Sequence, residues 1–451
     1  MQTKLKTQQN NEYKETELGL LPKEWEVVRL GDVAEKMKAG GTPLTNVKDY
    51  WENGDIPLVK VEDVVNADKF IVQTNLSITK KGLEDSSAWL VPENSIILTM
   101  YGTPGEVAIN KVPVAVTQNV MGIIKTKDID TDFFYYALKY TKNYTLHLIA
   151  DRTIFSHFTL AKAKNLIFPL PPLPEQKSIA FVLSTIQTAK EKTEQVIKAT
   201  KELKKSMMKH LFTYGPVSLE EAEKVKLKET EIGMIPEEWE VVRLGDLADK
   251  DIIKIQFGFP CGKWNDKGLG IPHIRPFNIL DIGKVSLQNL KYIETQKRLE
   301  NYFLKKGDVV FNNTNSENLV GKTAHWSYEN GEFVVSNHMT IIRVINTNKL
   351  DGVFLSESLH KKWYDGFYKT IASRHVNQSS ISLARLNDVK IPLPPLPTQQ
   401  KIASILSVID EKIQAEENKK KALEDLFKSM LHNLMTGRIR VKDLNFGVEN
   451  V

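Results

Sequence analysis

The stretch Pro169-Leu170-Pro171-Pro172-Leu173-Pro174-Glu175-Gln176 decides how this chain is organised, because it occurs twice. It returns as Pro392-Leu393-Pro394-Pro395-Leu396-Pro397-Thr398-Gln399. A similar helical run follows each copy, and identical residues keep the same spacing through Lys205-Ser206-Met207 and Lys428-Ser429-Met430 as far as Thr213 and Thr436. No insertion or deletion separates the two runs, so we infer that their length is constrained.

A second repeated stretch, here called the opening motif, defines the repeating unit. It reads Glu24-Trp25-Glu26-Val27-Val28-Arg29-Leu30-Gly31-Asp32 and reappears as Glu238-Trp239-Glu240-Val241-Val242-Arg243-Leu244-Gly245-Asp246. Each repeat therefore has an opening motif, a variable block, a Pro-rich hinge and a long helix, which indicates two related modules. We expect Trp25 and Trp239 to lie in the two cores.

Composition excludes several classes of protein. A chain of 451 residues exceeds the size of a single hydrophobic core, so more than one domain is expected. Its net charge of +5 permits binding to a polyanion without requiring it. Cys261 is the only cysteine, which excludes an intrachain disulfide and a thiolate-rich metal site. No long apolar run or signal peptide is evident, so we expect a cytoplasmic protein with no membrane contact.

The variable blocks predict the fold class α+β. Strand-like runs cover 56–61, 95–100, 107–109, 112–116 and 120–124 in the first block, and 271–275, 308–311 and 333–344 in the second. Helical spacing covers 131–148. We expect two globular mixed α/β modules joined by two long antiparallel helices, a coiled-coil spacer with a pseudo-twofold internal repeat. The predicted domains are 1–170 (first module), 171–214 (central helix), 215–391 (second module) and 392–451 (second helix and tail).

The hinges and helices have their own predictions. Pro169 to Pro174 should form polyproline II, and helices should run from Pro174 to about Thr213 and from Pro397 to Thr436. Gly215 and Gly437 should end the two helices. The charged run from Lys190 to Lys209 is interpreted as a solvated helix face, with phosphate contact as the alternative. Apolar side chains at 3-4 spacing are expected to pack the helix pair: Ile179, Val182, Ile186, Val196, Leu203, Met207, Ile402, Ile405, Ile409, Leu423, Leu426 and Met430.

The duplicated hinge, helix and opening motif together resemble the DNA-specificity (S) subunit of prokaryotic type I restriction-modification systems. The resemblance covers essentially the whole chain. It implies a non-catalytic subunit whose two modules each read half of an asymmetric, bipartite sequence of double-stranded DNA. Gly40-Gly41-Thr42-Pro43 and Phe257-Gly258-Phe259-Pro260 fit different module subtypes, which implies a target that is not palindromic.

The resemblance also implies partners and cofactors. The helices would act as a spacer and dock two methyltransferase subunits that methylate adenine; restriction subunits are left open. No cofactor is expected in this chain, and S-adenosylmethionine, ATP and Mg²⁺ are expected in the partner subunits. The alternative is a scaffold that presents two protein-binding modules on a coiled coil. An independent methylase is opposed by the absence of an Asn/Asp-Pro-Pro-aromatic motif, and no catalytic or metal site is predicted.

Side chains able to read bases should be Arg, Lys, Asn, Gln or similar groups in loops. For any one of them, a solvated or structural role is the alternative. The candidates are Lys60, Tyr101, Thr103, Arg152, His157, Lys263, His273, Arg275, Asn312, Asn313, Asn315, Lys322, Arg374, His375, Asn377 and Gln378. The loops 152–156 and 374–379 precede the two hinges at equivalent places and form the best paired prediction.

Overall fold

The computed structural model describes residues 12–142, 158–261, 263–329 and 331–441. The chain divides into two compact units. Unit 1 comprises residues 1–192 and 420–451, and unit 2 comprises residues 193–419. Each unit therefore contains one variable block together with a stretch of both long helices.

The two long helices span Leu173–Tyr214 and Leu396–Met435. The first helix is followed by Gly215, whose φ of 84° is the left-handed conformation that glycine adopts without strain. Gly437, with a φ of 63°, follows the second helix in the same way. The predicted helices and their glycine ends are confirmed.

Unit 1 is built from short strands in small sheets. Its strands are β1 (Tyr13–Thr16), β2 (Gly19–Pro22), β3 (Glu26–Arg29), β4 (Ala34–Ala39), β5 (Ile56–Val59), β6 (Phe70–Ile71), β7 (Ser77–Ile78), β8 (Leu90–Val91), β9 (Ile96–Thr99), β10 (Val107–Asn110), β11 (Val114–Val116), β12 (Val120–Lys125) and β13 (Ile167–Leu170). The two main sheets have the strand orders β4-β12-β9-β10-β6 and β7-β5-β11-β8. Short helices cover Val61–Asn66, Lys80–Glu84, Thr131–Tyr140 and Leu160–Lys164.

The core of unit 1 joins the module to both long helices. Phe133 and Phe134, on the helix Thr131–Tyr140, pack in one cluster with Leu183 of the first long helix and Leu434 of the second. Trp25 is fully buried in the same cluster, as predicted. Burying such side chains stabilises a fold by roughly 1.5–3 kcal/mol each, so this junction is a strong one.

Unit 2 repeats this plan with different strands. Its strands are β14 (Leu227–Thr230), β15 (Gly233–Pro236), β16 (Glu240–Arg243), β17 (Ile253–Phe257), β18 (Ile271–Ile274), β19 (Lys291–Ile293), β20 (Val309–Asn312), β21 (Thr314–Asn315), β22 (Thr323–His325), β23 (Val334–Val335), β24 (Met339–Val344), β25 (Ser373–Arg374), β26 (Ser379–Ser380) and β27 (Lys390–Leu393). Three sheets have the orders β17-β24-β20-β22, β19-β18-β23 and β21-β26-β25. Helices cover Leu219–Ala222, Leu244–Asp249, Gly352–Tyr364, Phe367–Ile371 and Leu383–Asn387.

The long helices are antiparallel within unit 2. Lys201 Nζ lies 2.8 Å from Glu417 Oε1, and Lys204 Nζ lies 2.8 Å from Asp410 Oδ1. As the residue number rises from 201 to 204 on the first helix, the number of the paired residue falls from 417 to 410 on the second, so the two helices are antiparallel. Trp239 is buried where the ends of this pair meet the module, as predicted.

The hinges are only partly as predicted. Residues 167–170 form β13, which pairs antiparallel with β3 of the opening motif, and Pro169 lies opposite Val27. β27 pairs with β16 in the same way. Polyproline II for Pro169 and Leu170 is therefore wrong. A two-stranded sheet leaves alternate N–H groups without a ladder partner, so it can accept proline at such a position.

The predicted helix seam is also partly wrong. Val196, Leu203 and Leu426 are exposed by 40%, 52% and 45% of their surface, whereas Ile197 and Lys204 are buried. Beyond Thr193 the buried stripe thus lies one residue later than the apolar spacing indicates. The remaining predicted positions are buried or half-buried: Ile179, Val182, Ile186, Met207, Ile402, Ile405, Ile409, Leu423 and Met430.

The chain segments beyond the repeats also meet. Tyr13 Oη donates a 2.7 Å hydrogen bond to the carbonyl oxygen of Gly437, which follows the second long helix. Arg440 bonds Glu24 of the opening motif and Glu175 of the hinge, at 2.6 and 2.7 Å. These contacts tie the last described segment to the first described strand, within unit 1.

Candidate nucleic-acid interface

Three loops of unit 1 emerge at the same edge of its main sheet. Thr99, at the end of β9, pairs with Val120, at the start of β12. Ala39, at the end of β4, pairs with Met121. The segments 40–43, 100–106 and 117–119 therefore emerge at the same edge, which we call loop edge 1.

A cleft of about 530 Å³ lies at loop edge 1. Lys60 and Thr103, both predicted DNA-binding residues, line it together with Thr42 and Gln118. Thr42 Oγ1 donates a 2.6 Å hydrogen bond to Gln118 Oε1, so two of the contributing loops are joined. Tyr101 is exposed on the same loop as Thr103. The structure thus brings together the predicted residues of unit 1 that it describes.

The main sheet of unit 2 has an equivalent loop edge. Asn312, at the end of β20, pairs with Met339, at the start of β24, and Phe257, at the end of β17, pairs with Thr340. The segments 258–264, 313–322 and 336–338 therefore emerge together, as loop edge 2. Asn315 is half-buried and Lys263 is exposed in these segments.

A glycine holds the loops together at each edge. A Cβ atom on Gly40 would lie 1.6 Å from the carbonyl oxygen of Val116, and one on Gly258 would lie 2.2 Å from that of Ser336. Both distances are far below van der Waals contact, so only glycine permits this approach. Because a glycine makes the same close backbone contact at both edges, the backbones of the two edges are arranged alike although their side chains differ.

A hairpin extends loop edge 2. β25 and β26 form it, and β26 also pairs with β21, which follows Asn313 in the loop edge. The residues between its strands are exposed, including His375, Asn377 and Gln378. Arg374 is exposed as well and lies 2.6 Å from Glu317. All four predicted residues of this loop therefore lie on one hairpin.

A group of half-buried basic and half-exposed aromatic side chains lies near loop edge 2. The guanidinium of Arg275 lies 5.0 Å from the ring centre of Trp264, and Lys291 Nζ lies 4.3 Å from it. Phe277 is 5.9 Å from the same guanidinium, and about half the surface of both Phe277 and Trp264 is exposed. Sequence reasoning found Arg275 but missed the aromatic rings, whose signal was their position beside basic residues in a loop.

Two predicted residues have structural partners in the interior. His273 is buried beside the Sγ atom of Cys261, and burial together with the charge of Arg275 lowers its pKa to about 4. Lys322 is buried and lies 2.6 Å from Asp281. Neither side chain is presented at the surface for a base edge.

Two predicted asparagines are also internal. Asn312 donates a 2.9 Å hydrogen bond from Nδ2 to the carbonyl oxygen of Leu319, which closes the loop after β20. Asn313 Oδ1 accepts a 3.1 Å bond from Thr340 Oγ1. Both are buried, so the structure gives them the turn-stabilising role that the sequence left as an alternative.

Arg152 and His157 lie outside the described residues, and so does the whole of the loop 152–156, which was predicted to pair with the 374–379 hairpin. Within the described ranges, no helix has the length and apolar character to cross a bilayer. In the same ranges, no cluster of three or more His, Cys, Asp or Glu side chains is placed to hold a metal ion.

Comparison with known proteins identifies the family. The sequence profile of the type I restriction modification DNA specificity domain matches the chain twice, over residues 22–202 and 236–425. The chain belongs to this family. It is 30% identical to the specificity subunit of the type I restriction enzyme MjaVIII of Methanocaldococcus jannaschii over 436 residues, covering 94% of this chain and 95% of the relative.

Further relatives are similar to this chain in sequence or in fold along nearly its whole length. The MjaIX specificity subunit of the same organism is 28% identical over 453 residues, 96% of this chain and 98% of the relative. The crystal structure of a type I S subunit from M. genitalium shares the fold at a TM-score of 0.55, with 16% identity, 91% of this chain and 96% of that chain. The predicted family, fold class and non-catalytic specificity role are confirmed.

Proposed function

We propose that this specificity subunit reads an asymmetric, bipartite sequence of double-stranded DNA, with loop edge 1 on one half and loop edge 2 on the other. The main support for this proposal is that the family profile matches each repeat once, while the side chains at the two loop edges differ. Equal backbones with unequal side chains suit two modules that read different base sequences.

The chemistry of the two edges supports this proposal. Loop edge 1 presents an ammonium, hydroxyls and an amide around one cleft, through Lys60, Thr103 and Gln118. Loop edge 2 presents the amides of Asn377 and Gln378 on a two-stranded hairpin. Amide and ammonium groups are the ones that hydrogen-bond base edges in the major groove, which is wide enough to admit a two-stranded ribbon.

The outward faces of the long helices support a second part of the proposal, the docking of two methyltransferase subunits. Leu203 and Leu426 occupy equivalent places in the repeat, and both are exposed although they are large and apolar. The exposed pairs Lys205-Ser206 and Lys428-Ser429 follow them identically. The same three exposed residue types at equivalent places in both repeats suit two copies of one partner.

The partners would supply the chemistry. Methyltransferase subunits would bind S-adenosylmethionine and methylate adenine within each half of the target. A restriction subunit, using ATP and Mg²⁺, would join the same complex. This chain contributes the choice of sequence and the surfaces on which the others assemble.

Footprinting of the reconstituted complex tests DNA recognition. The chain and its methyltransferase subunits should protect one bipartite sequence, and Lys60→Ala or Gln378→Ala should each weaken protection of a different half. Lys81→Ala is the matched control, because Lys81 is exposed and paired with Asp49 away from the cleft. Protection without sequence preference would favour the scaffold alternative and contradict the proposal.

Native mass spectrometry tests the docking surfaces. Leu203→Asp or Leu426→Asp should each reduce the bound methyltransferase copies from two to one, and the double variant should bind none. Glu202→Ala, beside Leu203 and also exposed, is the control and should keep both copies. Unchanged binding by the double variant would contradict this assignment of the surface.

A further inference from the structure

The inward face of the same helical segment differs between the repeats. The residue that follows the exposed leucine is Lys204 in unit 2 and Phe427 in unit 1, within Leu203-Lys204-Lys205-Ser206-Met207 and Leu426-Phe427-Lys428-Ser429-Met430. Four of the five residues are thus identical, and only the residue that faces the module has changed. The sequence interpretation of 190–209 as a solvated face is wrong at Lys204, whose side chain is fully buried.

In unit 2, Lys204 joins three parts of the fold. Its Nζ lies 2.8 Å from Asp410 on the other long helix and 3.2 Å from Glu357 on the module helix Gly352–Tyr364. It also donates a 2.8 Å hydrogen bond to the carbonyl oxygen of Ile282. Lys284, 3.8 Å from Asp410, adds a second positive charge, so two cations face two carboxylates.

In unit 1, aromatic rings occupy the equivalent places. Asp130 and Asp351 cap the two module helices, and the same position counted from each cap holds Tyr136 or Glu357. Tyr136 lies against Phe427 with ring centres 6.0 Å apart. Gln187 stands where unit 2 has Asp410, each directly after the isoleucine that repeats at 186 and 409.

We propose that Lys204 and Asp410 form a matching site that accepts only a module with a carboxylate at the Glu357 position, so that the two modules are not interchangeable between the units. A module carrying tyrosine there would leave the Lys204 and Asp410 charges buried without their third partner. Breaking a buried ion cluster is strongly destabilising, because the remaining charges cannot regain their hydration. The outward face can stay identical because it does not contact the module.

Module transfer in the full chain tests the matching site. Residues 247–388 are replaced by residues 33–165, and thermal unfolding is followed. The transferred chain should unfold roughly 10 °C below the parent, and Lys204→Phe with Asp410→Gln should restore most of this loss. Lys205→Phe with Asp410→Gln is the matched control and should restore nothing, since Lys205 is exposed.

A double-mutant cycle keeps the test decisive if the transferred module does not fold. Lys204→Met and Glu357→Met should each lower the unfolding midpoint in the parent chain, because each removes the hydrogen-bonding partner of the other. The double variant should lose clearly less than the sum of the two single losses. Additive losses, or a transferred module that is equally stable with Lys204 unchanged, would overturn the proposal.

An independent observation concerns the tip of the hairpin on loop edge 2. Val376 is exposed over 100% of its surface, between His375 and Asn377. The turn is closed by a 2.8 Å hydrogen bond from the His375 nitrogen to the Gln378 carbonyl oxygen. The valine therefore does not stabilise the hairpin, and its whole apolar surface is available to a binding partner.

We also infer that Val376 contacts the C5-methyl group of a thymine in the major groove, an inference that rests on the proposed function. Thymine is the base that presents an apolar group in that groove, and small apolar side chains read it. Asn377 and Gln378 beside it carry the amides that pair with adenine. The hairpin tip would thus recognise A·T pairs in the half-site of unit 2.

Replacement of single thymines by deoxyuridine in the target duplex tests this contact, because it removes only the methyl group. One thymine in the half-site of unit 2 should, when replaced, weaken binding by the complex by roughly fourfold. Val376→Ala should abolish the difference, whereas Ile345→Ala should retain it, since Ile345 is exposed at the far end of β24.

The outcomes separate the two claims. Sequence-specific binding with no sensitive thymine, or a difference that survives in Val376→Ala, overturns the thymine contact alone. A half-site of unit 2 without thymine also overturns it. Absence of any sequence-specific binding contradicts the proposed function instead.

Discussion

The side-chain Oε1 of Gln176 lies 2.8 Å from the backbone nitrogen of Asp130, the residue that caps the main helix of module 1. Gln399 forms the same bond, at 2.9 Å, with Asp351 in unit 2. The amide of each glutamine also donates to the hinge, to the carbonyl oxygen of Pro171 in unit 1. The final residue of each Pro-rich stretch thus fastens a module to the start of its long helix.

Loss of this glutamine should destabilise the unit that contains it. Gln176→Ala or Gln399→Ala leaves a half-buried backbone N–H without its side-chain partner, which should lower the free energy of unfolding by roughly 1 kcal/mol or somewhat more. Urea denaturation measures the effect. Gln414→Ala is the control, since Gln414 is exposed on the second long helix, and a loss in the control equal to that of Gln399→Ala would contradict this role.

The Arg440 contacts should matter for unit 1 alone. Arg440 is nearly buried and bonds both Glu24 and Glu175, whereas Thr398 stands at the place of Glu175 in the second hinge. Arg440→Met should lower the stability of unit 1 by about 1.5–3 kcal/mol, the usual contribution of hydrogen bonds to charged groups. Hydrogen exchange should then show faster opening in 13–29 and unchanged protection in 240–257; equal acceleration in both segments would contradict the assignment.

The buried carboxylates of unit 2 predict a pH dependence of stability. Burial raises the pKa of Glu357 to about 7, despite Lys204 and Lys284, and also raises the pKa of Asp410. Because the folded state holds the Glu357 proton to a higher pH than the unfolded state, its contribution is present at low pH and is lost as pH rises from about 4.5 to 7.

The difference in stability between the parent chain and the Glu357→Gln variant, measured at each pH, isolates the contribution of the Glu357 proton. Between pH 4.5 and 7, the stability of the parent should fall relative to the variant by up to roughly 3 kcal/mol. His360 acts in the opposite sense, since burial lowers its pKa to about 3, but it is present in both proteins and cancels. Denaturation at a series of pH values measures the difference, and a difference that does not change with pH would contradict the account.

The sequence predicted what depends on repeated spacing and apolar periodicity. The long helices, their glycine ends, the core tryptophans and most strands follow from local patterns that packing reinforces. The buried stripe of the first long helix beyond Thr193 could not be predicted in this way. A lysine such as Lys204 normally indicates a solvated position unless its buried partners are known. Glu357 and Asp410 become partners of Lys204 only through the fold.

The sequence indicates which loops carry polar side chains better than it indicates which of those side chains point outward. Lys60 and Thr103 were predicted as separate loop residues, and the structure places both at one cleft. Whether a polar side chain then points outward, as Gln378 does, or closes its own turn, as Asn312 does, depends on tertiary contacts. The exposed Trp264 and Phe277 were missed because aromatic residues usually predict a core.

Replacement of the variable block 33–165 by the corresponding block of a relative with a different target, followed by mapping of methylated adenines, tests the central claim most directly. The account predicts that one half of the methylated sequence changes to that of the relative while the other half stays the same. A change in both halves, or in neither, would contradict it.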